Sequence, residues 1–196
     1  WVDLKKIRES KILKSNKKGI VDESRDHVLT GRERHVARAR RGQLPYPQRA
    51  IRTDKYLYIM NFKPDRYPLG DHYNLDTDKE ANVNQLTINT FITIPDEDAG
   101  PTKAWIVKNR KDPKYKKYFS RAYGKRPLEE LYDLKKDPYQ MNNVAREFGY
   151  ERVRIELNKK LFRLLTETND PRLLNDGSFF ETPPMSGPVG GVKIKI

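Results

Sequence analysis

The sequence predicts an α+β fold: a small antiparallel β-sheet covered by a C-terminal amphipathic helix, with long loops and an extended C-terminal arm. Three patterns predict it. Residues 49–52 and 55–59 are short alternating runs around Thr53-Asp54, the signature of a β-hairpin. Residues 130–134 form a further strand, broken by Lys136-Asp137-Pro138. From residue 151 to 168, Val153, Leu157, Leu161, Leu164 and Leu165 recur at spacings of three and four, which is one apolar helical stripe.

In chain order, residues 1–25 are polar and lysine-rich. Ile7, Ile12 and Leu13 give a weak helical pattern that fades by Gly19, so the segment reads as an irregular lead-in. His27-Val28-Leu29-Thr30 is a short β-prone run closed by Gly31. Residues 32–55 then carry eight basic side chains against Glu33 and Asp54, +6 of the chain's +13. Within the hairpin, alternation puts Tyr56, Tyr58 and Met60 on one face and Leu57 and Ile59 on the other. Residues 62–85, with Pro64, Pro68, Gly70 and many Asp and Asn, predict a long loop. Residues 101–111 predict a short helix around Trp105, with Pro101 suited to a first turn, and residues 113–122 a second one stopped by Gly124. Asn169-Asp170-Pro171 ends the long helix, and residues 172–196 are rich in Gly and Pro. The expected organisation is a lead-in over 1–25, a folded unit over 26–169 and an arm over 170–196.

A chain of 196 residues suits one domain with a modest core. Its apolar fraction of 36% is low, which assigns part of it to loops. Eleven tyrosines, seven phenylalanines and two tryptophans nevertheless exceed what a disordered polyelectrolyte carries. The absence of cysteine excludes a disulfide scaffold, a thiolate metal site and a cysteine nucleophile. His27, His35 and His72 share no short metal-ligand spacing. No apolar run approaches the roughly 20 residues of a membrane helix. The chain starts at Trp1 rather than at a methionine, so the lack of a leader decides nothing. The net charge of +13 implies an anionic partner: nucleic acid, a sulfated or carboxylated polymer, or an acidic protein. Solubility alone is the plain alternative.

Two groups of motifs narrow the choice. The first is Gly31-Arg32-Glu33-Arg34-His35, with residues 45–53 (Pro-Tyr-Pro-Gln-Arg-Ala-Ile-Arg-Thr) and 61–68 (Asn-Phe-Lys-Pro-Asp-Arg-Tyr-Pro). The second is residues 124–138 (Gly-Lys-Arg-Pro-Leu-Glu-Glu-Leu-Tyr-Asp-Leu-Lys-Lys-Asp-Pro), followed by Asn142-Asn143-Val144-Ala145. Together they resemble the C-terminal region of the type I, formylglycine-dependent sulfatases, in particular the branch near the heparan N-sulfatases. The resemblance runs from about Asp26 to the tail. It implies a C-terminal subdomain docked on a larger α/β catalytic domain, in a periplasmic or secreted enzyme. The chemistry implied is hydrolysis of a sulfate ester or sulfamate on a sulfated polysaccharide or oligosaccharide, by a formylglycine hydrate beside a bound Ca²⁺.

The departures from the family pattern are specific. Its nucleophile lies in Cys/Ser-x-Pro-x-Arg, and no serine here is followed by x-Pro-x-Arg; Ser186-Gly187-Pro188-Val189-Gly190 lacks the arginine. The family's Asp-Asp and Asp-Asn metal pairs are not recognisable either. Formylglycine and Ca²⁺ are therefore expected in a catalytic domain upstream of Trp1. No catalytic or metal residue is assigned to this chain, which alone is expected to be inactive.

The substrate-binding candidates are Glu33, Arg34, His35, Arg38 and Arg49. The arginine fork matches sulfate and carboxylate, histidine donates to a sulfate or sugar oxygen, and glutamate accepts from a sugar hydroxyl. By the resemblance, residues 33–35 approach the mouth of the active site. Each has a plainer reading. Glu33 pairs with a neighbouring arginine, His35 is a satisfied loop histidine, and Arg38, Arg40 and Arg41 form a solvated face. Arg49 and Arg52 either face substrate or the catalytic domain or make cross-strand pairs. Tyr46, Tyr56 and Tyr58 either stack on sugars or pack on the hairpin. The acids in Glu129-Glu130-Leu131-Tyr132-Asp133 read as a structural strand rather than a catalytic cluster. His72 with Asp71, Asn74 and Asp76 lacks the spacing of a calcium loop. The rival functions are a basic binding module for nucleic acid or anionic polysaccharide, and a sulfatase relic that binds glycan without cleaving it. No helix-turn-helix, RRM or zinc-finger signature supports a nucleic-acid module.

Overall fold

The structure, a computed structural model, describes residues 26–75 and 82–182. The weak helical pattern around Ile7, Ile12 and Leu13 lies outside the described residues, as do Asp76 and residues 183–196 of the arm. Among the described residues four strands form one antiparallel meander, in the order β1 (Val28–Arg32), β2 (Gln48–Arg52), β3 (Tyr56–Asn61) and β4 (Glu129–Asp133). Five α-helices accompany them: α1 (Val83–Ile88), α2 (Pro101–Lys108), α3 (Lys116–Tyr123), α4 (Glu151–Glu167) and α5 (Ser178–Glu181).

Register follows from alternation. Leu29 lies opposite Ile51, Ile51 opposite Tyr58, and Tyr58 opposite Leu131, so one row of apolar side chains crosses all four strands. A slip of one residue would turn the whole row to the other face. The β2–β3 turn is centred one residue later than the sequence suggests, on Asp54-Lys55. Thr53 N–H donates to Tyr56 O at 2.8 Å, and Thr53 Oγ1 accepts from Tyr56 N–H at 3.0 Å.

Helix α4 lies on that row. Leu157, Leu161 and Leu165 are buried against Ile51, Tyr58 and Leu131, with Val153 and Leu164 half-buried at the margin. The segment 130–134 therefore pairs as expected with the hairpin, and the long helix covers the same sheet. The helix stops where Asn169 takes a left-handed φ of 52°, which asparagine tolerates better than most residues. Asp170 N–H then returns to Leu165 O at 2.8 Å.

Two segments differ from expectation. The 62–85 region is not all loop: α1 begins at Val83, and residues between β3 and β4 build a second core. Leu75, Leu86, Ile94, Ala104, Val107 and Tyr123 form it, a cluster whose residues are too far apart in sequence to show as one periodic pattern. Gly70 makes this core fit. Its φ is 104°, and a Cβ there would meet Ala39 O at 2.7 Å and Pro95 Cδ at 2.8 Å. The excursion leaves and returns at one point, where Asn61 N–H donates to Leu128 O at 2.8 Å. The second difference is at the C-terminus, where residues 170–182 are not an extended arm. They fold back as two 3₁₀ turns, Pro171–Leu173 and Asn175–Gly177, followed by α5.

Leu161 is fully buried in the main core. Leu161→Ala is expected to cost roughly 2–5 kcal/mol, read as a lowered denaturation midpoint in urea. A loss below about 0.5 kcal/mol would show that the stripe is not core.

Candidate functional site

The candidate residues separate into two sets. Glu33 and Arg49 are locked into a buried ion network with residues from the folded-back tail. Arg49 bridges Glu33 Oε1 at 2.9 Å and Asp170 Oδ2 at 2.7 Å, with a second bond to Asp170 Oδ1 at 2.8 Å. Arg172 donates from Nε to Glu33 Oε1 at 3.1 Å and from Nη2 to Glu33 Oε2. It also reaches Glu181 at 3.3 Å, which in turn takes Arg66 at 2.8 Å. Gly31 makes room for this arrangement: a Cβ there would lie 2.7 Å from Arg49 Cδ. The charge-bearing atoms of Glu33 and Arg49 are thus matched inside the fold, those of Glu33 by two arginines and those of Arg49 by Glu33 and by Asp170 beyond the long helix rather than by an acid directly across the sheet. Arg34 sits beside them and donates to Gln43 O at 2.5 Å and Phe180 O at 3.1 Å.

His35 belongs to the second set. Its side chain is 72% exposed, yet Nδ1 lies 2.8 Å from Oδ1 of Asp96, whose own side chain is 1% exposed. With Asp96 ionised, Nδ1 carries the proton and Nε2 has no partner among the described residues. Asp96 is firmly held: its N–H donates to Leu69 O at 3.0 Å, and Oδ1 also accepts from Val36 N–H at 3.1 Å. Its Oδ2 is buried without a hydrogen bond, 4.0 Å from Arg32 Nη1.

The loop that carries Asp96 is strained and pinned. Ile94, a β-branched residue, has a φ of 48°. Its N–H donates to Asp71 O at 3.0 Å. Lys103 is buried and spends its ammonium on Ile94 O at 3.0 Å, Glu97 O at 2.6 Å and Thr90 O at 3.2 Å. Burial pushes that ammonium below its ordinary value. Three carbonyls on one lysine fix the loop, the loop fixes Asp96, and Asp96 fixes the orientation of His35.

The remaining candidates fall into place around these sets. Arg38 is half-buried and engaged in contacts. Arg40 is a structural tie, donating to Leu44 O at 2.9 Å and Tyr67 O at 3.0 Å, and not part of a rim. Arg41 and Arg52 are exposed. Tyr46 and Tyr58 are fully buried and so pack rather than stack on a ligand. The β4 acids are taken up structurally: Glu129 by Tyr58 and Arg154, Glu130 by Asn61 and Tyr132, Asp133 by Tyr150. His72 stacks on Tyr67 with centroids 3.8 Å apart and lies 3.0 Å from Tyr123 O. Among the described residues no group of three His, Asp or Glu side chains converges on a metal position. These residues therefore do not fit the calcium and formylglycine centre that the resemblance implies for its parent enzymes.

Sequence reading missed Asp96, Lys103, Asp170, Arg172 and Glu181. Asp170 was visible only as part of a helix stop, and Arg172 and Glu181 lay in a segment read as extended. Asp96 stands 61 positions from His35, beyond any local pattern.

The network predicts acid sensitivity. Burial alone raises the Asp170 and Glu181 carboxyls, but hydrogen bonds and attraction from Arg49, Arg66 and Arg172 outweigh it and hold both below their ordinary values of 3.8 and 4.5. A carboxyl lowered in the folded state contributes stability that is complete above its unfolded value and disappears as pH falls through the folded value. Unfolding free energy is expected to drop below about pH 4. Asp170→Asn should lower stability at neutral pH and flatten that acid limb in urea titrations. Arg172→Met should cost roughly 1–3 kcal/mol, because Glu33 Oε2 loses its partner while Arg49 still holds Oε1.

No protein-family model matches the chain. Two curated proteins described as ulvan-active sulfatases, both from Formosa agariphila, are similar to it. One is 26% identical over 123 residues, covering 62% of this chain and 17% of its own length. The other is 24% identical over 125 residues, covering 64% and 18%. The chain thus spans about a sixth of the length of these relatives. No helix among the described residues is long and apolar enough to cross a membrane. An α+β unit with distant, sulfatase-like similarity is what fold and comparison together establish.

Proposed function

We propose that this chain is the C-terminal portion of a formylglycine-dependent sulfatase acting on a sulfated glycan, where it completes the fold and forms one wall of the substrate cleft. The observation that carries this reading is His35: a surface histidine oriented by a buried carboxylate on a strained, pinned loop. A solvated histidine needs no such support. The cost of holding Ile94 at positive φ makes sense where an imidazole must be pre-aimed. Nε2, protonated, donates a charged hydrogen bond to a sulfate oxygen; unprotonated, it accepts from a sugar hydroxyl. Arg38, along the same basic run, adds attraction for the anionic substrate.

The nucleophile and the Ca²⁺ belong, in this reading, to a catalytic domain outside these residues. That domain supplies the attack on sulfur, while this chain binds and orients substrate. Ulvan, from the names of the similar proteins, is the first substrate to test, and a heparan-type N-sulfated chain is the second. A secreted or periplasmic location follows from a polysaccharide substrate. The polypeptide of residues 1–196 alone is expected to release no sulfate from either polymer.

In the full-length protein, His35→Ala and Asp96→Asn are each expected to lower kcat/KM for a sulfated oligosaccharide about tenfold, mostly through KM. That is the effect of one charge-assisted hydrogen bond. A small aryl sulfate, too short to reach His35, should be nearly unaffected. Equal losses on both substrates would instead indicate a displaced catalytic centre. No loss on either would reduce His35 to a surface residue.

A further inference from the structure

The segment from residue 101 to 126 holds ten basic residues against a single acid, Asp112, a net of +9 out of the chain's +13. Lys103 is buried, and Arg110 donates to Val107 O at 3.0 Å. The others mostly face outward. Lys108, Lys111, Lys114, Lys116, Lys117 and Arg121 are exposed. None of these six takes part in an ion pair among the described residues. A surface charged for solubility alone mixes both signs, as α4 does with Arg152–Glu156 and Arg163–Glu167. The α2–α3 surface does not.

Aromatic rings stand among these cations. Trp105 is 45% exposed and Tyr118 44%. Trp105 meets Tyr115 at a centroid distance of 4.9 Å and Tyr118 at 6.5 Å. Lys114 Nζ lies 5.1 Å from the Tyr115 ring, and Lys117 Nζ lies 5.2 Å from the Tyr118 ring. The fold does not require this display. α2 packs inward through Ala104 and Val107, and α3 through Tyr123 and Phe119, leaving Trp105 outside the core. α2 is also rooted in the loop of the candidate site, because Lys103 binds Glu97 O next to Asp96.

We infer that the outer face of the α2–α3 pair is a second binding surface, which holds a sulfated or carboxylated polysaccharide chain through Trp105 and the lysines around it. Charge complementarity selects a polyanion. The rings select a sugar: Trp105 and its two tyrosines stand at 69° and 55° to one another, which is no parallel platform for successive bases. One large indole face suits the C–H face of a pyranose, and flexible ammonium groups suit sulfates of irregular spacing. The choice of polysaccharide among polyanions rests on the proposed function; the existence of the surface does not.

The test uses the full-length protein and measures binding directly, by calorimetry, to long-chain ulvan, to chemically desulfated ulvan and to a single-stranded oligonucleotide of matched charge. Trp105→Ala should weaken ulvan binding about tenfold with little change in its salt dependence. The pair Lys114→Glu and Lys117→Glu should weaken it at least about tenfold and make the fall of affinity with salt shallower. All three residues are solvent-facing, so thermal unfolding should stay where it is. Turnover of a short sulfated oligosaccharide should also stay unchanged in these variants, which separates this surface from His35. Variants that bind ulvan like the parent would overturn the inference. So would tighter binding of the oligonucleotide. If heparin replaces ulvan as the polymer bound, and the same variants lose it, the surface stands and the ulvan reading of the substrate falls.

Discussion

The fold depends on a charge problem solved inside it. Arg49 projects from a central strand into the space at the end of helix α4, and a buried guanidinium without partners is costly. Glu33 and Asp170 supply the matching carboxylates, one from the end of β1 and one from just beyond the helix. Those carboxylates in turn need Arg172, which brings Glu181 and then Arg66. The partners come from beyond the end of β1, from β2, from the segment after β3 and from the stretch after α4. The network therefore does what a disulfide does in a secreted domain of similar size: it joins the first strand, the hairpin, the last helix and the tail. It needs no cysteine, and this chain has none.

This dependence explains what was legible in the sequence. The sheet, its strand pairing and the covering helix could be read because each is written in a local period: two for Tyr56, Tyr58 and Met60, three to four for Leu157, Leu161 and Leu165. The second core could not, since Leu75, Leu86, Ile94, Val107 and Tyr123 follow no period and are gathered by loops. Residues 170–182 were misread for a related reason. Their composition is that of an arm, and the partners of Arg172 and Glu181 hold them folded back. For the candidate site, the sequence located His35 and its basic surroundings but not the carboxylate that aims it. Asp96 comes from a different loop, so the pairing exists only in three dimensions.

Charge in this protein has two uses that composition does not separate. Around residues 32–49 much of it is internal: Arg34, Arg40 and Arg49 are absorbed by carbonyls and carboxylates. Around α2 and α3 it is external and unmatched among the described residues. The net +13 therefore overstates the basicity near His35 and understates that of the helical pair.

The single hydrogen bond from Asn61 N–H to Leu128 O has an evolutionary consequence. Because the chain departs from β3 and rejoins β4 at neighbouring positions, everything between them is topologically an insertion. Closing such a loop costs little more as it lengthens. The sheet and α4 can stay unchanged while the part of the insertion beyond Arg66, which ties into the ion network, is resized or exchanged. The carboxylate that orients His35 and the cationic helical pair both lie within it. Asp96 and the α2–α3 pair thus sit on a stretch of chain that can diverge at a different rate from the sheet and the long helix.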